Sequence, residues 1–163
     1  MRRQENTTPE SLAVHPLGEV PALVDGEVTL LDSLSSCLHL ADRFPERHLA
    51  PPVGSPERGP YYGWMTFAEL HLDPAVLAFY ERTHPDEDAA KHKARLAAVL
   101  DVIDRGLGDR EFLVGGGFSA ADILMASILH LAHTLKLLDG HPRLLEYVRR
   151  LTQRPAVRRA VAG

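Results

Sequence analysis

The chain has 163 residues, 45% of them hydrophobic and 25% charged, which is enough for an ordinary globular fold with a buried core. Its 18 basic residues against 22 acidic ones give a net charge of -4. That balance excludes nucleic acid as a main partner, because phosphate binding needs a clustered positive surface. The single cysteine, Cys37, excludes an internal disulfide and a Cys-rich zinc site and suits a reducing compartment.

Residues 1–8 are polar, and no apolar run follows Arg2 and Arg3, so no secretory signal is read there. No stretch reaches the roughly 18 apolar residues that span a bilayer, and a cytoplasmic protein without membrane contact is expected. Pro9 to Gly18 reads as a short helix or loop. Val20–Val24 and Val28–Leu31 are two short β-branched runs separated by Asp25-Gly26, which predicts a hairpin. Asp32-Ser33 then opens a helix in which Leu34, Cys37, Leu38 and Ala41 recur at helical spacing, ended by Phe44-Pro45.

Residues 50–60 are rich in Pro and Gly and read as a linker between a first region, 1–49, and a second, 50–163. Everything after the linker reads as helix. One helix is expected over Tyr61–Leu70, and Pro74–Arg82 continues it or restarts it after Asp73. The next helix has an acidic first turn, Asp86-Glu87-Asp88, and an apolar face of Leu96, Val99, Leu100, Ile103 and Leu107; Gly106 and Gly108 are expected to stop it. Ser119 and Asp122 have capping-box spacing, with Phe118 and Ile123 placed for a hydrophobic staple. The segment from Ala120 to Leu138 is apolar on nearly every side and is expected at the centre of a bundle. Pro142 and Pro155 open two closing helices. Their arginines, Arg149 to Arg159, read as helix-end and solubilising charges.

Three stretches in this order resemble the glutathione S-transferase superfamily. Thr8-Pro-Glu-Ser-Leu-Ala-Val-His-Pro-Leu-Gly-Glu-Val-Pro-Ala-Leu-Val-Asp-Gly26, with its neighbours through Ser33, is similar to the family's NP-x-G-K-VP-x-L-x-DG…ES block. Phe112–Ile123 is similar to the capped central helix of its C-terminal domain. His141–Tyr147 with Gln153–Arg158 is similar to its closing P-x-L-x-x-W…RPA pattern, with Tyr147 where Trp is common. The resemblance implies a mainly α fold: a C-terminal-like helical bundle of five or six helices, preceded by a remnant (a β-hairpin plus a helix) of a thioredoxin-like α/β domain.

It further implies glutathione as a substrate and a small hydrophobic electrophile as the second. Pro21 would be a cis-proline, and Val20 would offer its backbone to the cysteinyl part of glutathione. Ser33 would hold the γ-glutamyl carboxylate and Asp32 the γ-glutamyl ammonium. A helix N-terminus suits an anion, while the plain alternative for Asp32 and Ser33 is a helix cap. The electrophile pocket would draw on Tyr61, Trp64 and Met65, although an aromatic stripe also packs cores. A homodimer through the helices near 33–44 and 57–82 is implied as well.

The pattern breaks at its start. The resemblance places Met1 in the middle of the family's second helix, so the thiol-activating residue would lie upstream and stays unknown, and catalysis by this chain is expected to be impaired. It also implies an unpaired edge on the 20–24 strand. The alternative reading is a non-catalytic helical interaction module. Cys37, mid-helix on an apolar face, reads as a structural thiol, and Glu19 stands where the family often has a basic or amide residue. No metal site is expected. His130 and His133 share a helix face without a close acid and read as packed or hydrogen-bonded side chains.

Overall fold

The computed structural model describes residues 6–80 and 89–162, and it divides into two compact units, residues 1–50 and 51–163. The expected acidic turn at Asp86–Asp88 lies outside the described residues. The protein is mainly α, with a hairpin and helices in the first unit and a helical bundle in the second, as the resemblance implies.

In the first unit α1 spans Pro9–Val14. Thr8 caps it by accepting the Ser11 N–H at 3.2 Å, and Pro9 takes the first helical position, where its missing N–H costs nothing. Strands β1 (Ala22–Asp25) and β2 (Val28–Leu31) pair antiparallel in the register Ala22↔Leu31 to Asp25↔Val28. Gly26 turns the hairpin at φ 64°, a conformation that glycine adopts without a steric penalty. Helix α2 (Ser33–Arg43) packs on both strands. Asp25 ties strand to helix, because its carboxylate accepts from His39 Nε2 at 2.8 Å and from Arg43 at 2.7 Å. Among the described residues the sheet has two strands. Such a hairpin is marginal alone, so the packing of α2 is what supports it. Cys37 is half-buried rather than a fully buried thiol.

The second unit holds six helices among the described residues: α3 (Arg58–Phe67), α4 (Asp73–Tyr80), α5 (Ala89–Leu107), α6 (Ala120–Thr134), α7 (Pro142–Thr152) and α8 (Pro155–Ala162). Helices α3 and α4 form one continuous rod, joined by a wide π-turn at Ala68–Leu72. Arg58 anchors its start: it donates to the Pro51 carbonyl at 2.7 Å, and its guanidinium lies over the rings of Tyr61 and Tyr62.

Helix α6 is the centre of the bundle, buried along Ala120, Ala121, Leu124, Met125, Leu129 and Ala132 and packed against α3, α4 and α7. Its two histidines are exposed, not packed, because His130 and His133 fall on its outer side. Phe118 packs edge-on against Phe112, and the Arg154 guanidinium sits 3.6 Å above its ring. Its expected staple partner Ile123 is 40% exposed. One expectation about glycine changes here. Helix α5 runs through Gly106 and ends after Leu107, where Gly108 at φ 56° supplies the left-handed terminus. Gly106 answers to packing instead: a Cβ there would lie 2.3 Å from the Trp64 indole.

The α6 start is fixed by one buried carboxylate. Asp122 accepts from the N–H of Ser119 (2.9 Å), its hydroxyl (3.0 Å), the N–H of Leu113 (2.9 Å) and the hydroxyl of Tyr147 (2.8 Å). The expected capping box is thus present, and its Asp122 also gathers the preceding loop and α7. Burial first, then the Asp122 charge and the hydrogen bond to it, push the Tyr147 hydroxyl well above the ordinary phenol value of 10.0.

Candidate functional site

The predicted ligand residues of the first unit are assembled by a tight turn. The Gly18 N–H donates to the His15 carbonyl at 2.8 Å, closing His15-Pro16-Leu17-Gly18, and the His15 N–H caps α1 by donating to Ser11 at 2.8 Å. Gly18 is required twice over, by its φ of 64° and by the Asn6 carbonyl oxygen 2.9 Å from where a Cβ would sit. The chain leaves this turn through Glu19 and Val20 into a Val20–Pro21 peptide bond that is cis, as the resemblance implies. Val20 is 55% exposed and lies just outside the ladder.

The hairpin register then returns the chain to the same place. The Asp32 N–H donates to the Pro21 carbonyl at 3.1 Å, so the end of β2 is hydrogen-bonded to the cis-proline itself. Asp32 sits at φ 71°, a conformation that costs a non-glycine residue about 1 kcal/mol or more. Its side chain makes no capping bond to α2. The Ser36 N–H bonds to the Asp32 carbonyl, and the Ser35 hydroxyl bonds to the carbonyls of Leu31 and Asp32. The first-turn N–H groups of α2, which have no intrahelical acceptor, therefore face no side-chain cap from Asp32. Val20, Pro21, Asp32 and Ser33 are brought to one place by the 3.1 Å bond. The plain-cap alternative for Asp32 does not describe its side chain.

Two residues that the sequence reading did not group join them. One ring nitrogen of His15, one carboxylate oxygen of Glu19 and one of Asp32 all lie within 4.8 Å of one another. No local spacing signals this, since 17 positions separate the outer pair. Only the turn and the hairpin register close the distance.

The residues expected at an electrophile pocket lie on α3 in the second unit. Tyr61 and Met65 are fully buried at 0% exposure, within the helical core. Trp64 is half-buried, with its indole against Gly106 and edge-on to Phe67. Of the three, Trp64 alone keeps accessible surface. Among the described residues no helix is long and apolar enough to cross a membrane.

Comparison with known proteins agrees with both units. A family model for the glutathione S-transferase N-terminal domain matches residues 2–48, and one for the glutathione S-transferase C-terminal domain matches residues 86–150. Glutathione S-transferase GstA of Escherichia coli O157:H7 is 28% identical over an alignment covering all of this chain and 82% of that protein. Among solved structures, a sphingomonad glutathione S-transferase complexed with glutathione is 30% identical at a TM-score of 0.84, over 93% of this chain and 76% of that one. A glutathione transferase from Methylococcus capsulatus is 31% identical at a TM-score of 0.85, over 92% and 75%. With both domain models matched in order and 30% identity across three quarters of a solved relative, this chain belongs to the glutathione S-transferase superfamily.

Proposed function

We propose that this protein binds glutathione as a substrate and conjugates its thiol to small hydrophobic electrophiles, with the first unit as the glutathione-binding, thioredoxin-like domain (residues 1–49) and residues 50–163 as the helical domain. The observation that carries the reading is the bond from the Asp32 N–H to the carbonyl of cis Pro21, which puts Val20 beside the uncapped start of α2. Ser33 and the free N–H groups of that helix suit the γ-glutamyl carboxylate, because they present donors and the positive end of the helix dipole. Asp32, free of any capping bond, suits the γ-glutamyl ammonium. Val20 suits the peptide backbone of the cysteinyl residue. The glutathione-bound sphingomonad relative at a TM-score of 0.84 supports the same assignment.

The reading extends to Tyr61, Trp64 and Met65 as contributors to the electrophile pocket, with Trp64 supplying accessible aromatic surface and the other two shaping it from the core. A homodimer and a cytoplasmic setting belong to the same proposal. The test is calorimetric titration of the full chain with glutathione, beside a D32A/S33A double variant. Millimolar or tighter binding that disappears in the variant is expected. No heat with a folded protein refutes the glutathione reading. Turnover of a chromogenic aryl halide, measured separately, is expected to be impaired, because no residue of this chain is assigned to activate the thiol; binding without any turnover points to a non-catalytic module.

A further inference from the structure

The turn that precedes the cis peptide leaves one buried ring nitrogen without a partner. His15 is 4% exposed, and its Nδ1 accepts the Leu17 N–H at 3.3 Å. In the neutral ring the proton therefore sits on Nε2, and that atom is buried with no hydrogen-bond partner. An unmet buried donor is costly and calls for an acceptor nearby. The nearest charged groups of this cluster are the carboxylates of Glu19 and Asp32, within 4.8 Å of a ring nitrogen and of each other. Both carboxylates are exposed, and neither is paired with a Lys or Arg among the described residues. Two unpaired carboxylates side by side repel, so the arrangement favours a positively charged ligand.

The chemistry of the ring decides which cation. The Nε2 atom, carrying its proton, has no lone pair for a metal, whereas an ammonium needs only oxygen acceptors, which the two carboxylates supply.

We infer that Glu19 and Asp32 form a two-carboxylate clamp for the free α-ammonium of the thiol substrate, with His15 as the positioning residue behind it. Glu19 thereby becomes a specificity determinant: it favours thiol peptides with an unblocked amino-acid head and disfavours those whose amine is acylated. The His15 Nε2–H serves the carboxylate that closes on the ammonium, which satisfies the buried donor as the ligand binds. This rests on the glutathione reading above and deepens it by adding a second anionic contact.

The experiment is calorimetric titration of wild type and E19Q with glutathione, with N-acetylglutathione, and with Mn²⁺ and Zn²⁺ chloride, with melting curves for both proteins. Glu19 is exposed, so E19Q is expected to melt like wild type. Wild type is expected to bind glutathione at least tenfold more tightly than the acetylated form. E19Q should lose about tenfold in glutathione affinity, in the range of one charge-assisted hydrogen bond, with little change for N-acetylglutathione. Equal discrimination by E19Q overturns the clamp while leaving the glutathione reading intact. Micromolar metal binding lost in E19Q overturns it in favour of a metal site. No glutathione binding by wild type overturns both.

Discussion

Asp122 concentrates more of the helical unit's specification than any other single side chain described above. It accepts two backbone N–H groups and two hydroxyls while fully buried, and each donor would be left unmet without it. An unsatisfied buried donor costs about 1–3 kcal/mol, so D122A is expected to lose more than about 3 kcal/mol in urea unfolding. Y147F removes one of the four donors and leaves the carboxylate held by the rest; a loss of about 1–2 kcal/mol is expected. The same phenol makes a pH prediction. Its folded pKa lies well above 10.0, so the native state keeps the proton while the unfolded chain releases it. Its contribution to stability is therefore complete below pH 10.0 and declines as pH rises toward the folded pKa. Y147F should flatten that alkaline decline, read as melting temperature between neutral pH and the alkaline limit. An unchanged slope would mean that another group carries it.

The elements depend on contacts that local sequence encodes unevenly. The hairpin was legible because Asp25-Gly26 between two β-branched runs is a short-range signal, and Gly26 takes the positive φ it implies. The capped start of α6 was legible for the same reason, since Ser119 and Asp122 meet within one turn. Gly106 was misread as a helix stop because a glycine's packing partner is invisible in one dimension; Trp64 lies 42 positions away in sequence. G106A separates the two meanings. A stop residue would tolerate alanine or gain about 1 kcal/mol from its better helix propensity. Because the new methyl would meet the indole at 2.3 Å, a net loss of about 1–2 kcal/mol is expected instead. The chain has one tryptophan, so a shifted emission maximum in G106A would report the displaced indole directly.

At the scale of the whole molecule, the family and the mainly α architecture followed from three sequence blocks in order, and both domain models agree with them. The candidate glutathione residues were legible only through that resemblance. Pro21 and Asp32 face each other one step beyond the Ala22↔Leu31 pair, so the hairpin register carries the bond that joins them, but nothing in either position announces a ligand site. His15 and Glu19 escaped notice because their nearness to Asp32 exists only after the turn closes and the hairpin sets its register. The proposed homodimer is checked by light scattering on the full chain at tens of micromolar. Twice the 18.0 kDa chain mass is expected, and a monomer at that concentration would remove the dimer from the account.

The most direct measurement is backbone-amide chemical-shift mapping of the full chain during titration with glutathione. The account predicts the largest shifts at Val20, Ala22, Asp32, Ser33 and Leu34, saturating with one Kd. Shifts confined to α5–α8, or none at millimolar glutathione with a well-dispersed spectrum, would contradict it.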